Sequence, residues 1–588
     1  MTGAPPGPVV TAYDWLRQHA RARPDAFAVT VWQDGAARQR LTFGALAGLV
    51  DRVAAGLAAR GARAGDRVVL ALPNDLSFTA TLLAALAVGL VPVPAPTPDA
   101  VRQGAFEERL RGIVADCRPG LVVTTDAWTP ALHRALRGAC GPPAHTWEAL
   151  STADPEPAPG VRSGPRPGIA LLQYTSGSTG TPKGVVISHR ALAAQCAQSA
   201  LAYRERLDDT AVTWVPLHHD MGLVTGLFRP LYTGYESVLL SPRAFVRDPG
   251  AWLAALTHCR GTLSSAPDFG YRHCVRRITP AAAGTFDLSS WRVARNAGEV
   301  VRADTAADFT ARFTPAGFRA DALCPSYGMA EATLTVTAAT PWAPSAELTV
   351  RRDDLRRGTA VQVGPDADPA APTVTLLSSG RTLPRTRVTV RTADGGTAPD
   401  GTVGDILVQG PQLFSGYWPD TASAAGGGPG AWHATGDTGF LLRGHLFVLG
   451  RADDTLVHHG RKFYAADVLA VCATVPRLRP GRCAVFTVEA PGPDGRDTPQ
   501  VCLVAEVGED AAAPTPAVVH EIRRRLADAL DLYVTTVALV PAGELPVTTS
   551  GKVRVADTRR RYRRGTLRVL PVPARTRAAG AAARQALP

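Results

Sequence analysis

The sequence contains very little lysine. Of its 63 basic residues among 588, three are lysine (Lys183, Lys462 and Lys552) and the other 60 are arginine. An ammonium group is a compact point charge, whereas a guanidinium group is a planar fork of donors. A lysine retained in such a chain therefore indicates a position that arginine cannot serve. Lys183 and Lys552 both lie in glycine-bearing polar loops, which makes each loop a candidate anion-binding site; chance retention is the alternative.

Other absences narrow the class of protein. The nine cysteines are scattered and never closer than 11 residues apart, which excludes a disulfide framework or a metal knuckle. The first residues lack the charged and then apolar build of a signal peptide. Residues 76–95 are uncharged but carry Gly89 and Pro92, which predicts a buried helix and a strand instead of a membrane span. We therefore expect a reduced, cytoplasmic, monomeric protein with no membrane span.

The formal charge of +12 is unevenly distributed. Arginines crowd the last part of the chain, at Arg523, Arg524, Arg525, Arg559, Arg560, Arg561, Arg563, Arg564 and Arg568. A solvated helix face and a docking surface for an acidic partner both explain such a cluster. No nucleic-acid recognition fold accompanies it, so we do not expect a nucleic-acid partner.

Helical and strand patterns alternate along most of the chain. Residues 42–60 and 76–89 have helical spacing, and Arg67–Leu72 and Leu90–Val93 are short apolar strands. This order predicts an α/β fold with largely parallel sheets. After Arg451 the pattern changes to a shorter α+β unit, and the tail from 571 has the composition of a disordered segment.

The first lysine loop runs from Thr175 to Gly184, TSGSTGTPKG, after a predicted strand. Its glycines and hydroxyls let backbone N–H groups and side chains converge on phosphate oxygens, although the order of residues is not that of a Walker A loop. With this string the sequence resembles the adenylate-forming superfamily, which includes acyl-CoA synthetases, peptide synthetase adenylation domains and luciferase. The resemblance implies an ATP-phosphate loop made of Thr175, Ser176, Gly177, Ser178, Thr179, Gly180 and Lys183.

Four further segments resemble motifs of that family, in the same order along the chain: SYGMAEAT from Ser326, TGD from Thr435, GRADD from Gly450 and SGK from Ser550. The resemblance implies that Tyr327 stacks on adenine, that Glu331 binds Mg²⁺ together with Thr179, and that Asp437 and Arg451 contact ribose. It also assigns nucleotide contacts to Asn296, Gly298, Glu299, Gly328 and Met329.

The same resemblance implies the domain organisation. A large N-terminal adenylation domain would span residues 1–451, a small mobile α+β domain residues 452–570, and a disordered tail residues 571–588. Asp454 would be the hinge between the two domains, and Lys552 would be the mobile catalytic lysine. In the implied reaction a carboxylate attacks the α-phosphate of ATP, with Thr175, Glu331 and Lys552 as catalytic groups. Lys183 would neutralise the leaving phosphates or would only pin its loop.

Within the superfamily, the segments WVPLHHDMGL from Trp214, SSAPDFGY from Ser264 and VPVPAP from Val91 most resemble the fatty acyl-AMP ligases. Residues 338–373 stand where that family carries an insertion that restrains the small domain. The implied acceptor is then an acyl carrier protein, or the carrier domain of a polyketide or nonribosomal peptide assembly line, and not free CoA. His219, Asp220 and Met221 would line the acid pocket, although Met221 equally suits a packed core.

Some residues depart from the family pattern. Asn296-Ala297-Gly298-Glu299 exchanges the usual order of glycine and alanine, His218 replaces a tyrosine, and Val555 replaces an arginine. The first two put the acyl-chain preference in doubt. An acyl-CoA synthetase and a non-catalytic nucleotide-binding or partner-binding relative stay as the alternatives. The sequence does not name the acid, which could be fatty, substituted or aryl.

Overall fold

The structure is a computed structural model of the chain. It describes residues 10–98, 103–137, 142–153, 168–175, 182–364, 371–419, 430–458, 461–491, 497–508, 516–548 and 552–571. The chain divides into two compact units, Met1–Ala452 and Asp453–Pro588. We call them the large unit and the small unit. No described helix is both long and apolar enough to cross a membrane.

The large unit is a mixed α/β structure. Its strands are β1 (Phe27–Gln33), β2 (Ala36–Thr42), β3 (Arg67–Leu70), β4 (Val91–Pro94), β5 (Leu121–Thr124), β6 (Ala144–Thr146), β7 (Ile169–Thr175), β8 (Lys183–Ser188), β9 (Thr210–Thr213), β10 (Glu236–Leu240), β11 (Leu263–Ala266), β12 (Val293–Asn296), β13 (Leu323–Gly328), β14 (Thr335–Ala338), β15 (Glu347–Arg351), β16 (Thr373–Leu377), β17 (Arg381–Thr382), β18 (Arg387–Arg391), β19 (Gly404–Gln409), β20 (His433–Leu442) and β21 (His445–Arg451).

The α-helices of the large unit alternate with these strands. They are α1 (Ala12–Ala22), α2 (Phe43–Ala59), α3 (Leu76–Ala87), α4 (Gln103–Cys117), α5 (Thr129–Ala135), α6 (Trp147–Ser151), α7 (His189–Tyr203), α8 (Asp220–Leu223), α9 (Arg229–Thr233), α10 (Pro242–Arg247), α11 (Gly250–His258), α12 (Asp268–Arg277), α13 (Pro280–Ala283), α14 (Ala303–Phe313) and α15 (Arg352–Arg356). A π-helical turn, Val224–Phe228, joins α8 to α9.

Two sheets and a meander organise the large unit. The nine-stranded sheet has the order β17-β14-β13-β12-β11-β9-β10-β1-β2, and it is parallel from β13 to β1 with antiparallel edges. A second sheet, β4-β3-β5-β6, is parallel throughout. Strands β18–β21 form an antiparallel meander. The predicted α/β fold is confirmed, with parallel strands in the interior of the sheets.

Local sequence explains several elements. Thr42 caps α2 by accepting a hydrogen bond from the Ala45 backbone N–H, and Asp75 caps α3 in the same way through Ser77. The two predicted helices, residues 42–60 and 76–89, begin and end within two residues of α2 and α3. The predicted strand Arg67–Leu72 ends two residues earlier, at Leu70. Residues 154–167, 420–429 and 572–588 lie outside the described residues, and the last of these ranges contains all of the predicted tail except residue 571.

Residues 338–373 fold within the large unit as a short antiparallel element. Strands β15 and β16 pair from Glu347↔Leu377 to Arg351↔Thr373, with α15 following β15. The Val403 backbone N–H donates to the Gly358 carbonyl at 2.9 Å, and the Ala360 N–H donates to the Gly401 carbonyl at 2.7 Å. These bonds anchor the segment to the connection between β18 and β19 of the meander. Its restraining role stays a prediction.

The small unit has its own core. Its strands are β22 (Thr455–His458), β23 (Arg461–Tyr464), β24 (Leu478–Pro491), β25 (Asp497–Val507) and β26 (Thr536–Val540), and its helices are α16 (Ala465–Cys472), α17 (Pro516–Leu530) and α18 (Val555–Arg563). Helix α17 buries Val518, Ile522, Leu526 and Leu530, which recur every four residues. This apolar stripe packs into a core with β24 and β25.

Candidate functional site

The first cluster of predicted site residues forms around Asp437 on β20. Tyr327, at the end of β13, donates its hydroxyl to Asp437 Oδ2 at 2.6 Å. Arg451 on β21 is the register partner of Asp437, and its Nε lies 3.5 Å from Asp437 Oδ1. Burial, followed by the charge of Asp437, raises the pKa of Tyr327 far above its usual value. The tyrosine is therefore a permanent neutral donor that orients the carboxylate.

The turn that follows β13 is tightly constrained. A Cβ on Gly328 would lie 1.8 Å from the Leu334 carbonyl oxygen, so this position requires glycine. The Met329 backbone N–H donates to the same carbonyl at 2.8 Å. Thr333 adopts φ +60°, a left-handed conformation that is costly for a β-branched residue. The strained residue Thr333 therefore ends the same turn that contains Glu331.

Glu331 is held by an aromatic side chain that the sequence analysis did not select. The Tyr417 hydroxyl donates to Glu331 Oε1 at 2.8 Å, and burial and then Glu331 raise the pKa of Tyr417. The Lys183 ammonium lies 5.4 Å from the centre of the Tyr417 ring. The structure thus brings two predicted site residues, Glu331 and Lys183, to the same aromatic side chain.

The first lysine loop is anchored at both ends. Thr175 and Lys183 are directly opposite each other at the open end of the antiparallel pair β7–β8. The Trp418 backbone N–H donates to the Gly184 carbonyl at 2.7 Å, which fixes the end of the loop beside Tyr417. Five predicted residues of the loop itself lie outside the described residues: Ser176, Gly177, Ser178, Thr179 and Gly180.

The predicted acid-pocket residues meet the predicted nucleotide segment. Met221 Cε is 3.3 Å from the position of a Cβ on Gly298, which has φ +80°. Asn296 donates to Asp268 Oδ1 at 3.2 Å, and Glu299 accepts from the Phe269 backbone N–H at 3.0 Å. The start of α12, which lies in the SSAPDFGY segment, therefore positions these residues, a role that the family resemblance did not assign to it.

Two histidines, His218 and His219, and Asp220 lie at the N-terminal end of α8. His219 Nδ1 and Asp220 Oδ1 lie 2.6 Å apart, and Asp220 also accepts from the Met221 backbone N–H at 2.6 Å. Burial raises the pKa of Asp220, but His219, the Met221 N–H and Arg295 outweigh it, so the net pKa is low. Burial lowers the pKa of the neighbouring His218 to about 3, so that imidazole is neutral.

Two predicted residues belong to the small unit. Asp454 ends the short turn Ala452–Asp454, where the chain passes from one unit to the other. The Lys552 backbone N–H donates to Thr548 Oγ1 at 3.0 Å, and the Thr548 N–H donates to the Lys552 carbonyl at 2.6 Å. These two bonds close the base of the second lysine loop, whose residues 549–551 lie outside the described residues.

The predicted arginine surface of the small unit divides into two parts. On α17, Arg524 and Arg525 both bind Glu521, and Arg523 donates to the Val534 and Thr535 carbonyls. On α18, Arg560 is paired with Asp557. Four exposed arginines of this helix and its C-cap make no ion pair within the part of the chain that the structure describes: Arg559, Arg561, Arg563 and Arg564. We call these four the α18 arginines.

Residues 16–418 match the family described as AMP-binding enzyme. The chain belongs to the AMP-binding enzyme family. Relatives include the medium-chain-fatty-acid–[acyl-carrier-protein] ligase JamA of Moorena producens, 35% identical over 85% of this chain and 86% of the relative. The long-chain-fatty-acid–AMP ligase FadD26 of Mycobacterium marinum is 34% identical over 85% of this chain and 87% of the relative.

Solved structures agree with this family. A chain from structural and functional studies of fatty acyl-adenylate ligases from E. coli and L. pneumophila superposes with a TM-score of 0.83. It is 28% identical, and the match covers 94% of this chain and 98% of that one. The large and small units of this AMP-binding enzyme thus correspond to a fold that is shared along almost the whole chain.

The described residues offer part of a magnesium site and not a complete set of protein ligands. Among them, no group of three or more histidine, cysteine, aspartate or glutamate side chains could form a complete metal site. Magnesium in nucleotide-dependent enzymes is bound by one or two carboxylates, water and the substrate phosphates. Glu331, held by Tyr417, would be the carboxylate of such a site.

Proposed function

We propose that this enzyme uses ATP to activate a carboxylic acid as an acyl-adenylate, with release of pyrophosphate, and transfers the acyl group to the phosphopantetheine thiol of a carrier protein. The observation that carries the first step is the convergence of Glu331 and Lys183 on Tyr417. This convergence supports the proposal that the Glu331 carboxylate would bind the metal and that the Lys183 ammonium would meet the phosphates of ATP.

The adenosine part of ATP would occupy the Asp437 cluster. The Tyr327 hydroxyl donates a hydrogen bond to one carboxylate oxygen of Asp437, and the Arg451 guanidinium forms an ion pair with the other. A carboxylate oriented in this way can accept hydrogen bonds from two ribose hydroxyls. The sugar would then be fixed relative to the phosphates, which is the geometric requirement for an in-line attack on the α-phosphate.

The reaction joins two anions. A carboxylate oxygen of the acid forms a bond to the α-phosphorus, and the bond from that phosphorus to the bridging oxygen breaks, so that pyrophosphate leaves with the electron pair. Lys552, Lys183 and the Thr175 hydroxyl would stabilise the negative charge that develops on the phosphate oxygens. When bound beside Glu331, Mg²⁺ supplies further neutralisation of phosphate charge.

Transfer to a carrier protein is supported by two observations. One relative is an acyl-carrier-protein ligase by name, and the α18 arginines offer an exposed basic surface to an acidic partner. The element formed by residues 338–373 would restrain the small unit and favour the carrier over free CoA. This ATP-dependent activity is consistent with the cytoplasmic location that the sequence predicts.

The test is ATP–pyrophosphate exchange with the intact enzyme and a panel of carboxylic acids, followed by acyl transfer. We expect acid-dependent exchange, acyl loading of a phosphopantetheinylated carrier protein, and little acyl-CoA when CoA is the acceptor. Deletion of residues 340–372 should raise acyl-CoA output if the element acts as a brake. Robust acyl-CoA synthesis by the unaltered enzyme would instead make it an acyl-CoA synthetase, and no exchange with any acid would favour a non-catalytic relative.

A further inference from the structure

Helix α4 lies against the strand pair that carries the first lysine loop. One buried cluster contains apolar side chains of the helix and of both strands, β7 and β8: Phe106, Leu110, Ile113, Leu172 and Val186. A Cβ on Gly112 of the helix would lie 3.3 Å from Cγ of Pro182, and Pro182 directly precedes Lys183. The helix therefore reaches the end of the loop at which β8 begins.

The side chain of Tyr174 contacts both ends of the loop. Tyr174 directly precedes Thr175, and its register partner on β8 is Gly184, the residue after Lys183. The tyrosine ring lies across Gly184, because a Cβ at that position would be 3.0 Å from the Tyr174 Cζ and hydroxyl oxygen. The same Cβ would be 3.2 Å from Cβ of Trp418. Gly184 is thus enclosed between two aromatic residues.

The Tyr174 hydroxyl is bound by helix α4. It donates a hydrogen bond to Asp116 Oδ2, and the tyrosine is 4% exposed. Burial, followed by the hydrogen bond to Asp116, raises the pKa of Tyr174, so the phenol keeps its proton and remains a donor. A hydrogen bond to a carboxylate is shorter and stronger than one between neutral groups. This bond therefore fixes the ring that spans the two ends of the loop.

A second route connects the same helix to the loop. Arg67 on β3 donates from Nε to the Cys117 carbonyl at 2.8 Å and from Nη2 to the Arg118 carbonyl at 2.6 Å, at the C-terminal end of α4. Its guanidinium carbon lies 5.4 Å from the centre of the Trp418 ring. The Trp418 backbone N–H in turn donates to the Gly184 carbonyl. The end of α4 is therefore tied to the loop through Arg67 and Trp418 as well as through Tyr174.

The pair β7–β8 needs this support. It forms a sheet of two strands, and a two-stranded pair on its own is marginally stable in water. Its open end carries Thr175 and Lys183, which would stabilise the charge on the phosphates. Such stabilisation requires groups that are already in place, and a misplacement of about 1 Å can cost about 10²-fold in rate. Helix α4 and the segment around Trp418 supply the missing support.

We propose that Tyr174 and Asp116 are positioning residues for adenylation: their hydrogen bond holds Thr175 and Lys183 where these two residues meet the phosphates of ATP that leave as pyrophosphate. This inference rests on the proposed function and deepens it. Tyr174 and Asp116 would act through the ends of the loop and not through contact with ATP. Asp116 is 58 residues away from Tyr174 in the sequence, so the pair exists only in the folded chain.

The test measures the binding of ATP and of AMP to the full chain by calorimetry, with Mg²⁺ present and no acid. ATP carries two phosphates that AMP lacks, and the proposed positioning concerns these two phosphates alone. Tyr174→Phe removes the hydroxyl and keeps the ring. We expect it to raise the Kd of ATP about tenfold, as for the loss of one hydrogen bond to a charged group, and to leave the Kd of AMP unchanged.

Variants of the partner and a matched control isolate the hydrogen bond. Asp116→Leu should have the same effect as Tyr174→Phe, whereas Asp116→Asn keeps an acceptor oxygen and should retain most of the affinity for ATP. The double variant Tyr174→Phe/Asp116→Leu should be no weaker than either single variant, because the two side chains act as one unit. The control is Tyr13→Phe, since the Tyr13 hydroxyl donates to Asp51 Oδ1 at 2.8 Å between α1 and α2. It should change neither Kd.

Every outcome separates the positioning role from the proposed function. An equal rise in the Kd of ATP and of AMP in Tyr174→Phe would indicate a general loss of structure and would overturn the inference. Acid-dependent exchange by the wild type, together with unchanged ATP binding in Tyr174→Phe, would also overturn it and leave the function intact. No exchange with any acid, together with a selective loss of ATP binding, would overturn the function and keep the positioning role. If Tyr174→Phe does not fold, Asp116→Leu provides the same comparison.

Discussion

The predicted nucleotide carboxylate of the large unit and the α18 arginines of the small unit differ in their surroundings. Asp437 is buried and bound by Tyr327 and Arg451. In the small unit the α18 arginines are exposed and have no acidic partner in the described chain. Buried charges interact strongly and hardly respond to salt, whereas exposed charges are screened. We therefore expect the large unit to hold the substrates and the surface of the small unit to guide a partner.

Lys552 is the exception to this comparison, because it is a residue of the small unit with a predicted chemical role. Lys552→Ala should lower the rate of adenylate formation by about 10²–10³-fold, since it removes a charge that acts mainly on the transition state. Lys552→Arg should also be strongly impaired, because the planar fork does not replace a compact ammonium group. The measurement is the single-turnover rate of acyl-adenylate formation, with ATP binding unchanged.

The third lysine provides a control for that experiment. Lys462, on β23, lies outside both glycine-bearing loops, so we attribute its retention to chance and expect Lys462→Arg to keep the wild-type rate. An Lys552→Arg enzyme that is as active as Lys462→Arg would show that the retained lysines carry no chemical meaning.

Glu331→Gln tests whether this carboxylate of the large unit binds magnesium. The amide still accepts the Tyr417 hydrogen bond, so the fold should be preserved, but it is a poorer ligand for magnesium than the carboxylate. We expect the Mg²⁺ concentration for half-maximal exchange to rise about 10- to 100-fold. Tyr417→Phe, which keeps Glu331 and removes only its hydrogen bond, should have a smaller effect in the same direction. An unchanged Mg²⁺ dependence in both variants would remove Glu331 from the metal site.

Asp437→Ala should chiefly raise the KM for ATP, by roughly tenfold, because it removes a charged hydrogen-bond acceptor. The KM for the acid should change little. Arg451→Ala offers a comparison, since it removes the guanidinium that faces Asp437 and leaves the Tyr327 bond in place. Equal effects on the KM of ATP and of the acid would indicate a general loss of structure instead of a nucleotide contact.

Charge reversal of Arg559 and Arg561 tests whether the α18 arginines guide an acidic partner. Among the substitutions proposed here, it should have the smallest effect. We expect transfer to an acidic carrier protein to slow by about threefold to tenfold at low salt, and the difference to shrink at high salt. Adenylate formation should be unchanged. Reversal of Arg243 and Arg247, two exposed arginines of α10 in the large unit, is the matched control. A loss of both reactions in the Arg559 and Arg561 variant would indicate a folding defect.

The sequence predicted most of the fold because periodicity is a local property. The apolar spacing of residues 42–60 and the cap at Thr42 define α2 without reference to the rest of the chain. The predicted site residues were found through short motifs, and the structure brings Tyr327, Asp437 and Arg451 together across long separations in the sequence. Their roles toward ATP stay predictions.

Sequence reasoning missed the residues whose importance depends on what surrounds them. Tyr417 stands in an ordinary aromatic segment, and only the fold shows that its hydroxyl reaches Glu331. Arg295 is one of 60 arginines in the sequence, and nothing in the chain distinguishes it from those on the surface. The same bias that made three lysines conspicuous concealed this arginine.

The sequence by itself determined the alternation of helices and strands, the motifs and the family to which they belong, because these depend on residues close together in the chain. Only the tertiary structure decided which charges are buried and which are satisfied. Burial and pairing depend on the packing of β12 against its neighbours and on side chains such as Tyr203, Glu205 and Tyr235, which approach from other elements. A guanidinium group costs little in water and a great deal in an apolar interior, so the folded protein alone shows that Arg295 is buried and which groups surround it.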